Sequence, residues 1–177
     1  MRGVFIALLV ALGSYHPRRM ADGKEWTTRN LNIEARPSYC YEDEKKSCAQ
    51  YGRLYAWESA RSACQSLGNG WRLPAEDEWR QLAKRYGGVR DDSNDDGKAA
   101  FQALLSGGNS GFGAVLGGGR SDTGEYARLG AHGFYWTASE TDAGHAWFYN
   151  FGRGASILNH HPDGDKGRAF AVRCVRD

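Results

Sequence analysis

The sequence predicts an α+β domain with two main helices, a small antiparallel sheet and long structured loops. Three observations carry that prediction. Apolar residues recur at helical spacing in the first half, as Ala56, Ala60, Ala63, Cys64 and Leu67, then Trp79, Leu82, Ala83 and Tyr86. From Gly107 onward, short apolar runs (Phe112 to Leu116, Phe134 to Ala138, Ala146 to Phe151) are separated by glycine-rich stretches, the pattern of short strands and loops. And 24 Gly beside 6 Trp and 9 Tyr suit a loop-rich chain with large rigid side chains better than a helical bundle. At 177 residues, with no repeat or linker, one domain fits the chain.

The start reads differently. Arg2 precedes an apolar run from Val4 to Leu12, and Ala11-Leu12-Gly13 has the small-x-small form of a signal-peptidase site. Residues 1–19 are therefore expected to be a leader and 20–177 the domain, exported to the cell surface or beyond; translation beginning at Met20 is the rival reading. Nine apolar residues are too few for a permanent membrane span. The net charge of +2, with Lys and Arg scattered, lacks the electrostatic footprint of a nucleic-acid partner.

Along the domain, Lys24 to Ile33 alternates as a strand, with Trp26, Thr28 and Asn30 on one side. A polar loop follows, closed by Cys40 and Cys48. Leu54 to Leu67 is helical, stopped by Gly68 and Gly70, and places Cys64 inward. Pro74 and the acidic Glu76, Asp77 and Glu78 open the second helix, which Gly87-Gly88 ends. A short third helix fits Lys98 to Ser106. The last strand, Ala169 to Val175, puts Phe170, Val172 and Cys174 on one face and Ala171, Arg173 and Val175 on the other. Four cysteines allow three pairings. The short spacing favours a Cys40–Cys48 clip, and two inward cysteines, one on the first helix and one on the last strand, favour Cys64–Cys174. No C-x-x-C or suitably placed His pair supports zinc instead.

This arrangement resembles the C-type-lectin-like fold. The runs Asp22-Gly23-Lys24-Glu25-Trp26, Tyr39-Cys40-Tyr41, Gly70-Trp71-Arg72-Leu73-Pro74, Leu116-Gly117-Gly118-Gly119-Arg120, Tyr135-Trp136-Thr137-Ala138-Ser139 and Val172-Arg173-Cys174-Val175 resemble the Fibrobacter succinogenes major paralogous domain. That family is similar in turn to formylglycine-generating enzymes and to the variable proteins of diversity-generating retroelements. The latter likeness implies a variable ligand-binding segment at 145–165 (HAWFYNFGRGASILNHHPDGD), rich in residue types reachable from asparagine codons. The candidate ligand-binding residues are Trp136, His145, Trp147, Tyr149, Asn150, Phe151, Arg153, Ser156, Asn159, His160, His161 and Asp163. Trp147, Tyr149 and Phe151 fall on one face of a strand and Phe148 on the other, so one set is expected to be buried.

Enzymatic readings fit less well. The C-terminal half has a single cysteine, Cys174, where formylglycine-generating enzymes need a redox-active pair. No histidine lies beside a G-x-S-x-G elbow. Asp92 to Gly97 opens like a calcium loop, but its twelfth position is Ala103 where a bidentate Glu is required. The motifs of calcium-dependent sugar binding are approached only by His161-Pro162-Asp163 and Trp147-Phe148-Tyr149-Asn150, in the wrong order. The expectation is a non-enzymatic binding protein with no cofactor or metal, taking a protein or glycan ligand. A structural subunit with a fixed partner is the alternative, and an enzyme of unrecognised site the third.

Overall fold

The computed structural model describes residues 15–177 and is mixed α+β. Its two longest helices are the expected ones, although Leu54–Tyr55 form a strand ahead of the first. In chain order the elements are β1 (Pro17–Arg19), β2 (Glu25–Thr27), β3 (Ser38–Tyr39), α1 (Lys45–Tyr51), β4 (Leu54–Tyr55), α2 (Trp57–Gln65), α3 (Glu76–Lys84) and α4 (Lys98–Leu104). The second half follows as β5 (Gly117–Arg120), β6 (Tyr126–Leu129), β7 (His132–Glu140), β8 (His145–Gly152), β9 (Ile157–Asp165) and β10 (Val175–Arg176).

α3 shows how the local sequence sets an element. Pro74 leaves Ala75 extended, three carboxylates occupy the first turn and Lys84 the last, each favourable to the helix dipole. The Glu78 carboxylate accepts from the Ala75 N–H at 2.9 Å and holds Arg72 through two bonds of 2.6 and 2.8 Å. Trp79, Leu82 and Ala83 then share the buried face.

Three sheets form. β1-β2-β10 is antiparallel and brings the two ends of the folded unit together, with Pro17 on an edge strand that can spare its N–H. β3-β4 is a short pair. The large sheet runs β6-β5-β7-β8-β9, antiparallel except for the β5–β7 neighbours. Trp79 sits at the centre of the main core: it stacks on Tyr149 at 5.1 Å and meets Trp26, Phe112 and Tyr135 at 5.2, 5.4 and 5.5 Å. A second core surrounds the Cys64–Cys174 disulfide with Trp57, Trp71, Leu73, Trp136 and Phe170. The other disulfide joins Cys40 and Cys48, so both expected bridges are present.

Several boundaries differ from expectation. The folded unit takes in Tyr15 to Arg19, placed above in the leader: Tyr15 is buried against Trp71 and β1 pairs with β2. The rest of the leader, residues 1–14, lies outside the described residues. The Lys24–Ile33 strand shrinks to Glu25–Thr27, because beyond it the backbone turns to bond other partners, Leu31 donating to the Val172 carbonyl. The Cys40–Cys48 loop is partly helical: α1 begins within it at Lys45 and carries Cys48 in its middle. Ala169–Val175 is not one ladder; it threads the molecule through isolated bridges to Arg120, Tyr55 and Tyr135 before β10.

That threading buries both faces of the last segment, Arg173 included. Its guanidinium is fully enclosed and donates to Asn30 Oδ1 (2.8 Å) and to the carbonyls of Thr27 (3.1 Å), Phe112 (2.6 Å) and Gly113 (2.6 Å). Burial pushes its pKa down to about 10. Arg173 therefore ties β2 and the turn after it, the segment after α4 and the C-terminal segment together. Among the described residues no helix is long and apolar enough to cross a membrane.

Candidate functional site

β8 is the central question, because most candidate residues lie on it or on β9. Its burial does not follow a simple two-fold alternation. Tyr149 and Phe151 are fully buried against Trp79 and α4, and Phe148, on the opposite side, is buried against Trp136 and Phe170. Rings from both faces are core while Trp147 is only half-buried, so the strand does not divide into one buried set and one open set. β8 has a sheet partner on each edge, helices over one face and the C-terminal segment over part of the other. Trp136, Tyr149 and Phe151, expected to touch ligand, are enclosed framework. Their surfaces are spent on the two cores, and the Trp136 indole donates to the Tyr55 carbonyl at 2.8 Å.

The remaining candidates divide into three places. Trp147 and His160 lie near the N-terminus of α3, and His145 opens β8. His160 Nδ1 is 2.8 Å from Glu76 Oε1, its ring packs on Trp147 at 5.0 Å, and the Tyr149 hydroxyl donates to the same carboxylate at 3.3 Å. Burial raises the Tyr149 phenol far above its ordinary value, with Glu76 adding to the shift. Half-exposed His145 is held locally by Asp142, 2.9 Å from its Nδ1. These pairs satisfy one another, and their chemistry is that of a polar seam at a helix end. Arg153 and Ser156 belong to the exposed β8–β9 turn, where Ser156 takes a positive φ of 54° and its N–H donates to the Arg153 carbonyl.

The third place is the open face of the sheet. The register aligns three rows across β7, β8 and β9: His132, Gly152 and Ile157; Phe134, Asn150 and Asn159; Trp136, Phe148 and His161. His132 Nδ1 lies 2.9 Å from Asn150 Oδ1, and its ring stacks on Phe134 at 5.4 Å. Asn159 Nδ2 lies 3.4 Å from His161 Nε2, and His161 stacks on Phe148 at 5.1 Å. Burial holds the His161 imidazole below its ordinary pKa, so it is neutral at pH 7 and offers a donor and an acceptor. Asp163 is exposed at the far end of β9. Gly164 lets this face close at the other end: a Cβ there would lie 2.6 Å from Trp136 and 2.7 Å from Phe148.

Beside the rows, toward β5, the face deepens into a pocket of about 210 Å³. Phe134, Phe148 and Phe170 form its floor, with centroids 5.0 to 6.1 Å apart. Arg120, Arg128 and Arg168 stand on its rim. None of the three arginines nor Phe170 is among the residues expected from sequence, and all lie outside 145–165. His132-x-Phe134-x-Trp136 is a two-residue alternation that could have exposed the β7 part. The arginines come from three separate segments, and only the fold brings them together.

A larger cleft, about 660 Å³, lies elsewhere, over Asn30, Tyr51 and Gly113. Arg173 lines it, but its donors are already taken up by four protein acceptors. The acidic turn is likewise occupied with structure: Asp92 pairs with Arg80, and Asp95 accepts from the N–H groups of Gly97 and Ala99 at the start of α4. Among the described residues no group of His, Cys, Asp and Glu is gathered to hold a metal ion.

Fold and site together define a disulfide-stapled α+β domain that presents a rigid, partly aromatic sheet face. Residues 14–176 match the family model of the Fibrobacter succinogenes major domain, and the chain belongs to that family. No curated protein matches it. Two disulfides in one small domain point to an oxidising environment, outside the reducing cytosol.

Proposed function

We propose that this chain is an exported binding domain of the C-type-lectin-like type that recognises a protein or glycan through the open face of β7, β8 and β9 without transforming it. The observation that carries the reading is the middle row, Phe134, Asn150 and Asn159, with His132 and His161 flanking. Amides and imidazoles, half-buried and fixed by stacking on phenylalanines, are presented on strands rather than on loops. Side chains held this way lose little conformational entropy when a ligand arrives, which favours affinity.

The same alternation supports the narrower reading of a retroelement-diversified protein. Asn150, Arg153, Ser156, Asn159, His161 and Asp163 point away from the cores, whereas Tyr149, Phe151 and Leu158 lie within them. Exchange at the first group leaves the framework intact. A reverse-transcriptase gene nearby, with a near-copy of the 145–165 coding segment differing at adenines, supports that reading; a locus without either removes it.

The binding proposal is tested on arrays of glycans and extracellular proteins with the wild-type chain and an Asn150→Ala, Asn159→Ala, His161→Ala variant. Binding by the wild type that the folded variant loses supports the proposal. Equal binding by both overturns it.

A further inference from the structure

We propose that the pocket beside these rows takes an apolar side chain adjoining a carboxylate, as presented by an acidic, hydrophobic polypeptide segment. This inference rests on the binding reading above and deepens it by naming the class of ligand.

Shape and charge point the same way. The floor is carbon: Phe134, Phe148 and Phe170, with Gly119 admitting the approach, since a Cβ there would lie 3.1 Å from both Phe134 and Phe170. A space of about 210 Å³ exceeds the roughly 150 Å³ that accommodates benzene in a protein interior, so one aromatic or branched side chain fits. A neutral sugar lays a C–H face on such rings but brings no anion to the arginines of the rim.

The rim is cationic. Arg120, Arg128 and Arg168 form no ion pair among the described residues. Arg120 lies with its guanidinium 3.9 Å over the Tyr39 ring, and its buried Nε has no hydrogen-bond partner. Arg128 and Arg168, both exposed, offer guanidinium edges that meet a carboxylate with paired N–H donors. Glu125 is the one acidic side chain lining the pocket, against three cations. An apolar floor under a guanidinium edge is therefore matched by an apolar group with an anion one or two bonds away.

The test uses N-acetyl-L-phenylalanine as the probe and N-acetyl-L-phenylalaninamide as its uncharged match, titrated against the disulfide-intact chain and followed by ¹H–¹⁵N correlation spectra. The acid is expected to shift Gly119, Arg120, Phe134, Phe148 and Phe170 saturably and to bind at least tenfold more tightly than the amide. Arg128→Gln with Arg168→Gln, both exposed positions, is expected to erase that preference while the spectrum stays native. Equal shifts from acid and amide, or an unchanged preference in the variant, overturn the proposal. Tighter binding of trigalacturonate at the same residues also overturns it, in favour of an acidic glycan. Shifts confined to Asn150, Asn159 and His161 overturn it while leaving the broader binding reading standing.

Discussion

Trp79 offers the sharpest test of how this fold is held together. Its side chain is fully buried and touches four aromatic rings, so replacement by Ala opens a cavity whose walls are rigid rings anchored on different elements. Truncation of a buried tryptophan typically costs about 3–5 kcal/mol. The stacked and edge-on pairs add roughly 0.5–1.5 kcal/mol each beyond area burial, which places Trp79→Ala near about 5 kcal/mol. For a domain of this size that is a fall in Tm of roughly 10–20 °C, at about 2–4 °C per kcal/mol. Trp79→Phe should behave differently. The Trp79 Nε1–H is buried with no hydrogen-bond partner, a state that costs about 1–3 kcal/mol. Phe keeps a ring in the stack and removes that donor, so the net loss should be no more than about 2 kcal/mol. Guanidinium unfolding followed by far-UV circular dichroism, with both disulfides intact and unchanged m-values, reads the two losses. A Trp79→Ala cost under about 2 kcal/mol, or equal costs for Ala and Phe, refutes the account of the core.

Removing the Cys64–Cys174 bridge by paired serine substitution should destabilise by about 4.8 kcal/mol on the chain-entropy estimate for 110 residues, against about 2.5 kcal/mol for Cys40–Cys48 with its separation of 8; thermal melts of the two variants give the order. Tyr149→Ala should cost about 3–5 kcal/mol, while Asn159→Ala on the neighbouring strand stays within about 1 kcal/mol, and comparable losses would place the open face in the core. Alkali should weaken the fold, because burial raises the Tyr55 and Tyr149 phenols: stability present below pH 10 is lost above it as the unfolded phenols ionise and the native ones do not. Tyr149→Phe should flatten the fall by about 1 kcal/mol between pH 10 and 11, read by denaturant melts.

Which parts of the molecule were legible depended on how many neighbours a segment has. α3 is readable because its signals are local: a proline, three acids and an apolar stripe at 3.6-residue spacing. The Cys64–Cys174 bridge follows from the same periodicity, since Cys64 falls on the inner face of α2, and Cys40–Cys48 from its short spacing. β8 is not readable this way. A strand with one wet face alternates, but one partly covered on both faces shows aromatics at consecutive positions, and Phe148-Tyr149 gives no sign of which ring faces water. Arg173 defeats the inference more thoroughly. An arginine in a strand reads as surface, and only the fold reveals four neutral acceptors waiting from two distant segments.

The dual burial of β8 has a functional consequence. The strand that carries the open face also closes both cores, so the face cannot shift without disturbing Tyr149 on Trp79 or Phe148 on Phe170. A surface fixed from behind in this way suits recognition by preorganised groups rather than by induced fit. It also limits what can change. Asn150 and Asn159 are paired across the strands and project outward, so their side chains can be replaced as a set. Their immediate neighbours Tyr149, Phe151 and Leu158 cannot, because each is fully enclosed. Diversity in binding, if selected, is confined by packing to alternate residues of β8 and β9 and to the turn between them. The arginine-rimmed pocket, built from segments outside that stretch, would stay constant while its surroundings vary.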